Sequence, residues 1–180
     1  RDYSYELPDN KIAKYPLPVR HDSKLLLYRD GRVSDHVFVD LPSLLPQESL
    51  LVFNNSKVVP ARLFFRKETG AVIEVFCLEP ASPREYILAF SQHTSCTWYC
   101  AVGNAKKWKT GNLPLYNPQN DPKLSALGLS ASLIGQEADR YLVRFSWTAN
   151  MPFSSLLEAT GRVPLPPYLK RESEALDLER

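Results

Sequence analysis

The 180 residues carry 44% hydrophobic and 23% charged side chains at a formal net charge of +2, a balance that excludes a disordered chain. No apolar run is long enough to cross a bilayer as a helix, and the start RDYSYELPDN lacks the apolar core of a secretory signal. Three cysteines, Cys77, Cys96 and Cys100, make no disulfide framework, so the expected compartment is a reducing cytoplasm.

In chain order, residues 8–15 predict a short helix with Pro8 at its first turn. LLLYRDGRVSDHVFV (residues 25–39) predicts a hairpin around Asp30-Gly31, and residues 50–53 a buried strand. Strand-length apolar runs then follow one another at 62–66, 72–78, 85–90, 97–102, 124–134 and 140–147, with Glu68-Thr69-Gly70 as a hairpin turn. Without helical periodicity between them, they predict a small antiparallel barrel or sandwich. Residues 152–160 return to helical spacing, with Phe153, Leu156 and Leu157 apolar and Gly161 as C-terminal cap. The predicted class is a mixed α/β host domain, incomplete here, with an inserted small antiparallel β-barrel. Residues 1–60 are the first part of the host, 61–149 the barrel, and 150–180 the return to a truncated host. The tail SEALDLER reads as a charged helix start, so the sequence reads as the front of a longer protein.

Charge is uneven: 8 Lys/Arg against 8 Asp/Glu in residues 1–60, 10 against 7 in 61–150, and 4 against 5 in 151–180. An excess of three permits a nucleic-acid contact without the dense footprint of a dedicated binder. Arg62, Arg66 and Lys67 cluster, as do Lys106, Lys107 and Lys109, although a solvated hairpin rim explains the lysine run equally well.

Two segments present polar donors at the ends of apolar stretches, LLVFNNSKVVPARL (residues 50–63) and GRVPLPPYLKRE (residues 161–172). In the first, Asn54-Asn55-Ser56 alone is a turn signal, since each short polar side chain can bond the local backbone. Lys57 and Arg62 bracket a stiff Val58-Val59-Pro60-Ala61 spacer. If that spacer is extended, the two cations face opposite sides and need not share a ligand. In the second, Pro164, Pro166 and Pro167 stiffen the backbone ahead of Tyr168, Lys170 and Arg171. A rigid connector and a direct ligand contact both fit. PLPP also satisfies the P-x-x-P of a polyproline ligand, but Leu169 stands where the flanking cation is expected. His93, Cys96 and Cys100 lack a fourth ligand at zinc-like spacing, and no metal is expected. Glycine-rich phosphate loops are absent.

YELPDNKIAKYPLPVRHDSKLLL (residues 5–27), LLVFNNSKVVPARL, RKETGAVIEVF (residues 66–76) and GRVPLPPYLKRE occur in the order of the S-adenosylmethionine:tRNA ribosyltransferase-isomerase family of queuosine biosynthesis, which this chain resembles over nearly its whole length. Trp98 followed by Lys106, Lys107, Lys109 and Gly111 is similar to the family's lysine-glycine segment. The family typically has Asn-Asp-Thr-Arg where this chain has Asn54-Asn55-Ser56-Lys57, which puts aside roles needing a carboxylate at 55 or a guanidinium at 57. The resemblance implies a longer protein that transfers the ribosyl part of S-adenosylmethionine to 7-aminomethyl-7-deazaguanine at the tRNA wobble position, with rearrangement to epoxyqueuosine. It implies S-adenosylmethionine as co-substrate and tRNA as partner; no membrane and no metal are expected, and the oligomeric state is left open with a monomer slightly favoured. Asn54, Asn55 and Tyr168 are then candidates for ribose hydroxyls or the purine edge. Arg62, Lys170 and Arg171 are candidates for tRNA phosphates or the methionine carboxylate, and Lys57 is a substrate-binding candidate with no group assigned to it. No residue is singled out as the base. The alternative is a non-catalytic tRNA-binding module, and a third reading is an interaction domain using the proline segment.

Overall fold

A computed structural model describes residues 4–163, 165–171, 174 and 177. They fall into two compact units, residues 1–56 with 166–172 and residues 57–165 with 173–180.

In the first unit, β1 (Lys24–Arg29) and β2 (Arg32–Val37) form the expected hairpin, with Arg29 opposite Arg32. Asp30 at φ 50° and Gly31 at φ 79° supply the two left-handed positions that a two-residue hairpin turn requires. A single turn of helix, α1 (Leu41–Leu44), follows. The helix expected over 8–15 is reduced to a 3-10 turn at Asp9–Lys11. So short a segment, followed by Pro16 and Pro18, cannot offset the cost of helix nucleation. The buried strand expected over 50–53 is also corrected. Leu50, Val52 and Phe53 are 88%, 88% and 77% exposed and belong to no strand. An apolar run becomes a strand only where a partner satisfies its backbone, and none of the described residues pairs with this one. None of residues 4–56 is buried.

The second unit is a six-stranded antiparallel sheet of β3 (Arg62–Arg66), β4 (Val72–Ser82), β5 (Ser95–Gly103), β6 (Asn112–Pro114), β7 (Ser130–Glu137) and β8 (Arg140–Ser146), in the order β3-β4-β5-β8-β7-β6. The last four strands make a Greek key. The sheet nearly closes on itself: Phe65 bridges Leu115, and the Tyr116 amide donates to the Phe64 carbonyl at 2.8 Å. Strand alternation sends Leu63, Phe65, Ile73, Val75, Val143 and Phe145 inward. α4 (Phe153–Thr160) packs Phe153, Leu156 and Leu157 into the same core. Phe153 lies among Trp98, Phe145 and Trp147 at centroid distances of 5.7, 5.4 and 5.6 Å.

Two strand expectations fail. Residues 85–90 form a helical turn, α2 (Tyr86–Phe90), because an unbroken apolar run carries no period to separate helix from strand. The run 124–134 divides into α3 (Pro122–Ser125) and β7, since Asp121 accepts the Lys123 amide at 2.8 Å and caps a helix there. β6 escapes notice because three residues are too few to show alternation. Of the tail 173–180, only Glu174 and Asp177 are described, so the helix start expected there lies outside the described residues. Asp177 is buried and accepts the Glu174 amide at 2.9 Å.

All three cysteines are buried in the barrel, with Cys77 directly opposite Cys100. Burial pushes the Cys96 thiol up to about 12, partly countered by the Trp98 indole beside it, and raises Cys100 well above its ordinary value. At pH 8 the folded chain should therefore resist iodoacetamide at all three positions and become fully labelled in denaturant, as intact-mass spectrometry would read. Rapid native labelling would show that the barrel opens.

Candidate functional site

The two motifs meet. Pro60 to Arg62 and Gly161 to Arg162 run side by side in the barrel unit, where the Arg162 amide donates to the Arg62 carbonyl at 2.8 Å and the Arg62 amide to the Arg162 carbonyl at 3.3 Å. Gly161 permits the approach. Its φ of −79° suits any residue, but a Cβ there would lie 1.8 Å from the Pro60 carbonyl oxygen. The expected cap is therefore in place for a different reason: close packing of backbone, with the Gly161 amide bonded to Leu157 at 2.8 Å.

Lys57 and Arg62 do not converge, in keeping with the odd spacing between them. Lys57 Nζ pairs with Glu158 at 3.1 Å beside a cavity of about 140 Å³ formed with Val58, Val59, Pro60, Phe90 and Ser154. Arg62 Nε lies 2.7 Å from Glu74 Oε1, one strand away, although its N–H is not aimed at an acceptor. In the other unit Asn54 Oδ1 accepts the Ser56 amide at 2.8 Å, a local turn of the kind its sequence predicts, and Asn55 is exposed.

Within that unit the end of the second motif is tied to the N-terminal segment. Tyr168 sits exposed in a 3-10 turn at Pro167–Leu169, and Lys170 adopts φ 51°. Lys170 Nζ pairs with Asp9, holding that carboxyl below its ordinary 3.8 by hydrogen bond and charge. Arg171 Nε donates to the Lys14 carbonyl at 2.8 Å and its guanidinium lies 4.7 Å from the Tyr15 ring centroid. Pro164 lies outside the described residues.

A larger cleft of about 300 Å³ opens on the barrel unit where β3, the loop after β6 and the residues after α4 come together, lined among others by Phe64, Tyr116, Gln119, Asp121, Thr160 and Arg162. The Arg162 guanidinium lies 4.9 Å from the Phe64 ring centroid. Beyond the cleft, Lys67 Nζ donates to the Lys107 carbonyl at 2.6 Å, so the two basic clusters seen in the sequence share one rim.

The motifs agree with the comparisons. The family model described as Queuosine biosynthesis protein matches residues 1–180. The chain belongs to that family. Relatives in it named S-adenosylmethionine:tRNA ribosyltransferase-isomerase include those of Trichlorobacter lovleyi, 35% identical over 100% of this chain and 47% of the relative; Acinetobacter baumannii, 34% identical over 99% and 44%; and Aquifex aeolicus, 34% identical over 98% and 46%. This family member thus spans about half the length of the curated relatives it matches.

Sequence reasoning passed over Phe64, Tyr116, Gln119, Asp121 and Arg162. Arg162 was within reach, since it follows Gly161 in the second motif; the rest are joined only by strand closure. Among the described residues no group of His, Cys, Asp and Glu is placed to hold a metal, and no helix is long and apolar enough to cross a membrane.

Proposed function

We propose that the longer protein containing this sequence transfers and isomerises the ribosyl moiety of S-adenosylmethionine onto 7-aminomethyl-7-deazaguanine at the wobble position of tRNA, giving epoxyqueuosine. The observation that carries this reading is the family match over all 180 residues, with relatives named for that reaction. A sulfonium makes its attached carbons acidic and electrophilic, so such a site needs a base, charge-balancing groups and exclusion of water. Asn54, Asn55 and Tyr168 are proposed to engage ribose hydroxyls or the purine edge. Arg62, Lys170 and Arg171 are proposed to engage tRNA phosphates or the methionine carboxylate, and Lys57 to contact substrate; no residue is singled out as the base.

The proposed layout is a mixed α/β host begun by residues 1–60 and resumed by 150–180, with the barrel of 61–149 inserted. The exposed apolar run at Leu50, Val52 and Phe53 supports a host whose core is completed by further chain. The 180 residues alone are proposed to be inactive, because the co-substrate site would lack walls. The setting is the cytoplasm, with tRNA and S-adenosylmethionine as partners and no metal expected. A non-catalytic tRNA-binding module is the second reading, favoured by the lysine rim.

In the longer protein, Arg62→Ala, Lys170→Ala and Arg171→Ala should each cut turnover about 10- to 100-fold, the scale of a lost charge-assisted hydrogen bond, as read by mass spectrometry of tRNA nucleosides under saturating tRNA. Lys106→Ala and Lys107→Ala should change the tRNA concentration needed instead. A larger turnover loss from the lysines than from the motif cations would remove these site assignments.

A further inference from the structure

Strand alternation places Arg62, Phe64 and Arg66 on the outer face of β3, and the Tyr116 amide bonded to Phe64 brings the chain after β6 alongside. The wall this makes is braced from within. Asn117 Nδ2 donates to the Asp121 carbonyl at 2.8 Å and to Ser125 Oγ at 3.0 Å, while its Oδ1 accepts the Asp121 amide at 3.0 Å. The cleft of about 300 Å³ is therefore preformed, and its size suits one planar heterocycle. Its floor is a guanidinium plane backed by an aromatic ring, Arg162 over Phe64. The Gln119 side chain on its rim makes no hydrogen bond among the described residues.

β3 ends at Arg66, and the next residue, Lys67, leaves the strand about 10 Å from Phe64 at the end of the barrel. There the contact with the Lys107 carbonyl gathers Lys67, Lys106, Lys107 and Lys109 at one edge. Four cations elsewhere are used internally: Lys57 on Glu158, Arg62 on Glu74, Arg140 on Glu79 and Glu137, Lys170 on Asp9. The ammonium groups of Lys106, Lys107 and Lys109 make no ion pair among the described residues, although three exposed cations so close together repel one another unless an anion is present. A stacking floor beside a row of uncompensated cations is the pattern of single-stranded nucleic-acid recognition. S-adenosylmethionine, whose sulfonium and ammonium outweigh its one carboxylate, is repelled by the same field.

We propose that this seam docks an unpaired stretch of tRNA, one base stacking on Arg162 with its edge toward Gln119, and the flanking phosphates meeting Lys67, Lys106, Lys107 and Lys109. The inference rests on the reading of tRNA as partner. Its test uses the whole 180-residue chain and a fluorescein-labelled anticodon stem-loop RNA, by anisotropy over a salt series, with a second RNA carrying 2-aminopurine in the loop. Arg162→Lys, which keeps the charge and loses the plane, should weaken binding about tenfold and abolish the 2-aminopurine quench without altering the salt slope. The triple variant Lys106→Ala, Lys107→Ala, Lys109→Ala should flatten the slope of log K against log salt by about 2. RNA binding that leaves both the quench in Arg162→Lys and the slope in the triple variant intact would overturn this surface while sparing the tRNA reading. Absence of tRNA binding by both this chain and the longer protein would overturn both. Free adenosine or S-adenosylmethionine binding as tightly as the RNA, with that binding lost in Arg162→Lys, would make the cleft a small-molecule site and end the proposal.

Discussion

Phe153→Ala is expected to destabilise the barrel unit by about 3–5 kcal/mol, the range for truncating a fully buried aromatic. The residue has no exposed surface, and its ring is packed among Trp98, Phe145 and Trp147. Truncation therefore removes apolar burial and three aromatic contacts at once, and leaves a cavity that stiff indole and phenyl neighbours cannot fill by small movements. Because α4 contributes Leu156 and Leu157 to the same core, the loss reaches the segment that carries Gly161 and Arg162. Against a total stability of about 5–15 kcal/mol for an ordinary domain, this is a large fraction. Urea denaturation followed by tryptophan fluorescence reads the change directly, since the indoles report their own surroundings. A shift below about 1 kcal/mol would mean that α4 does not share the barrel's core.

The second large effect is expected of Gly161→Ala, at a cost of about 1–3 kcal/mol or more. The added methyl meets backbone on two sides, the Pro60 carbonyl oxygen at 1.8 Å and the Leu157 carbonyl oxygen at 2.6 Å. Neither can rotate away as a side chain would. Relief requires parting residues 60–62 from 161–162, which breaks the paired hydrogen bonds between Arg62 and Arg162. The guanidinium over Phe64 should move with them, so RNA affinity and melting temperature should fall together. Unchanged melting in Gly161→Ala would show that the two motifs are not held in contact in solution.

How far the sequence revealed this arrangement depended on what each segment had to pair with. β3 and β8 were legible because alternating burial leaves a period of two, and the Asp30-Gly31 hairpin because its turn needs residues that tolerate positive φ. The run at 85–90 carried no period, and its helical form is set by the packing of Ala89 and Phe90 against the barrel. Leu50 to Phe53 has the composition of a strand, but pairing is a property of two segments and only one is present among the described residues. At the candidate site, the motif boundaries were readable while the partners were not. Glu74 against Arg62, Glu158 against Lys57 and Asp9 against Lys170 follow from register and from contacts across more than a hundred residues. The union of Gly161 with Pro60 is likewise visible only once the barrel has closed.

The most direct test of the central claim is adenine release in a single-turnover reaction of S-adenosylmethionine with tRNA bearing 7-aminomethyl-7-deazaguanine, comparing this 180-residue chain with the longer protein that contains it. The account predicts stoichiometric adenine release and epoxyqueuosine from the longer protein, and none from the chain alone even though its barrel is folded. Release by the chain at the rate of the longer protein would contradict the incomplete-site reading, and no release by the longer protein would contradict the proposed reaction itself.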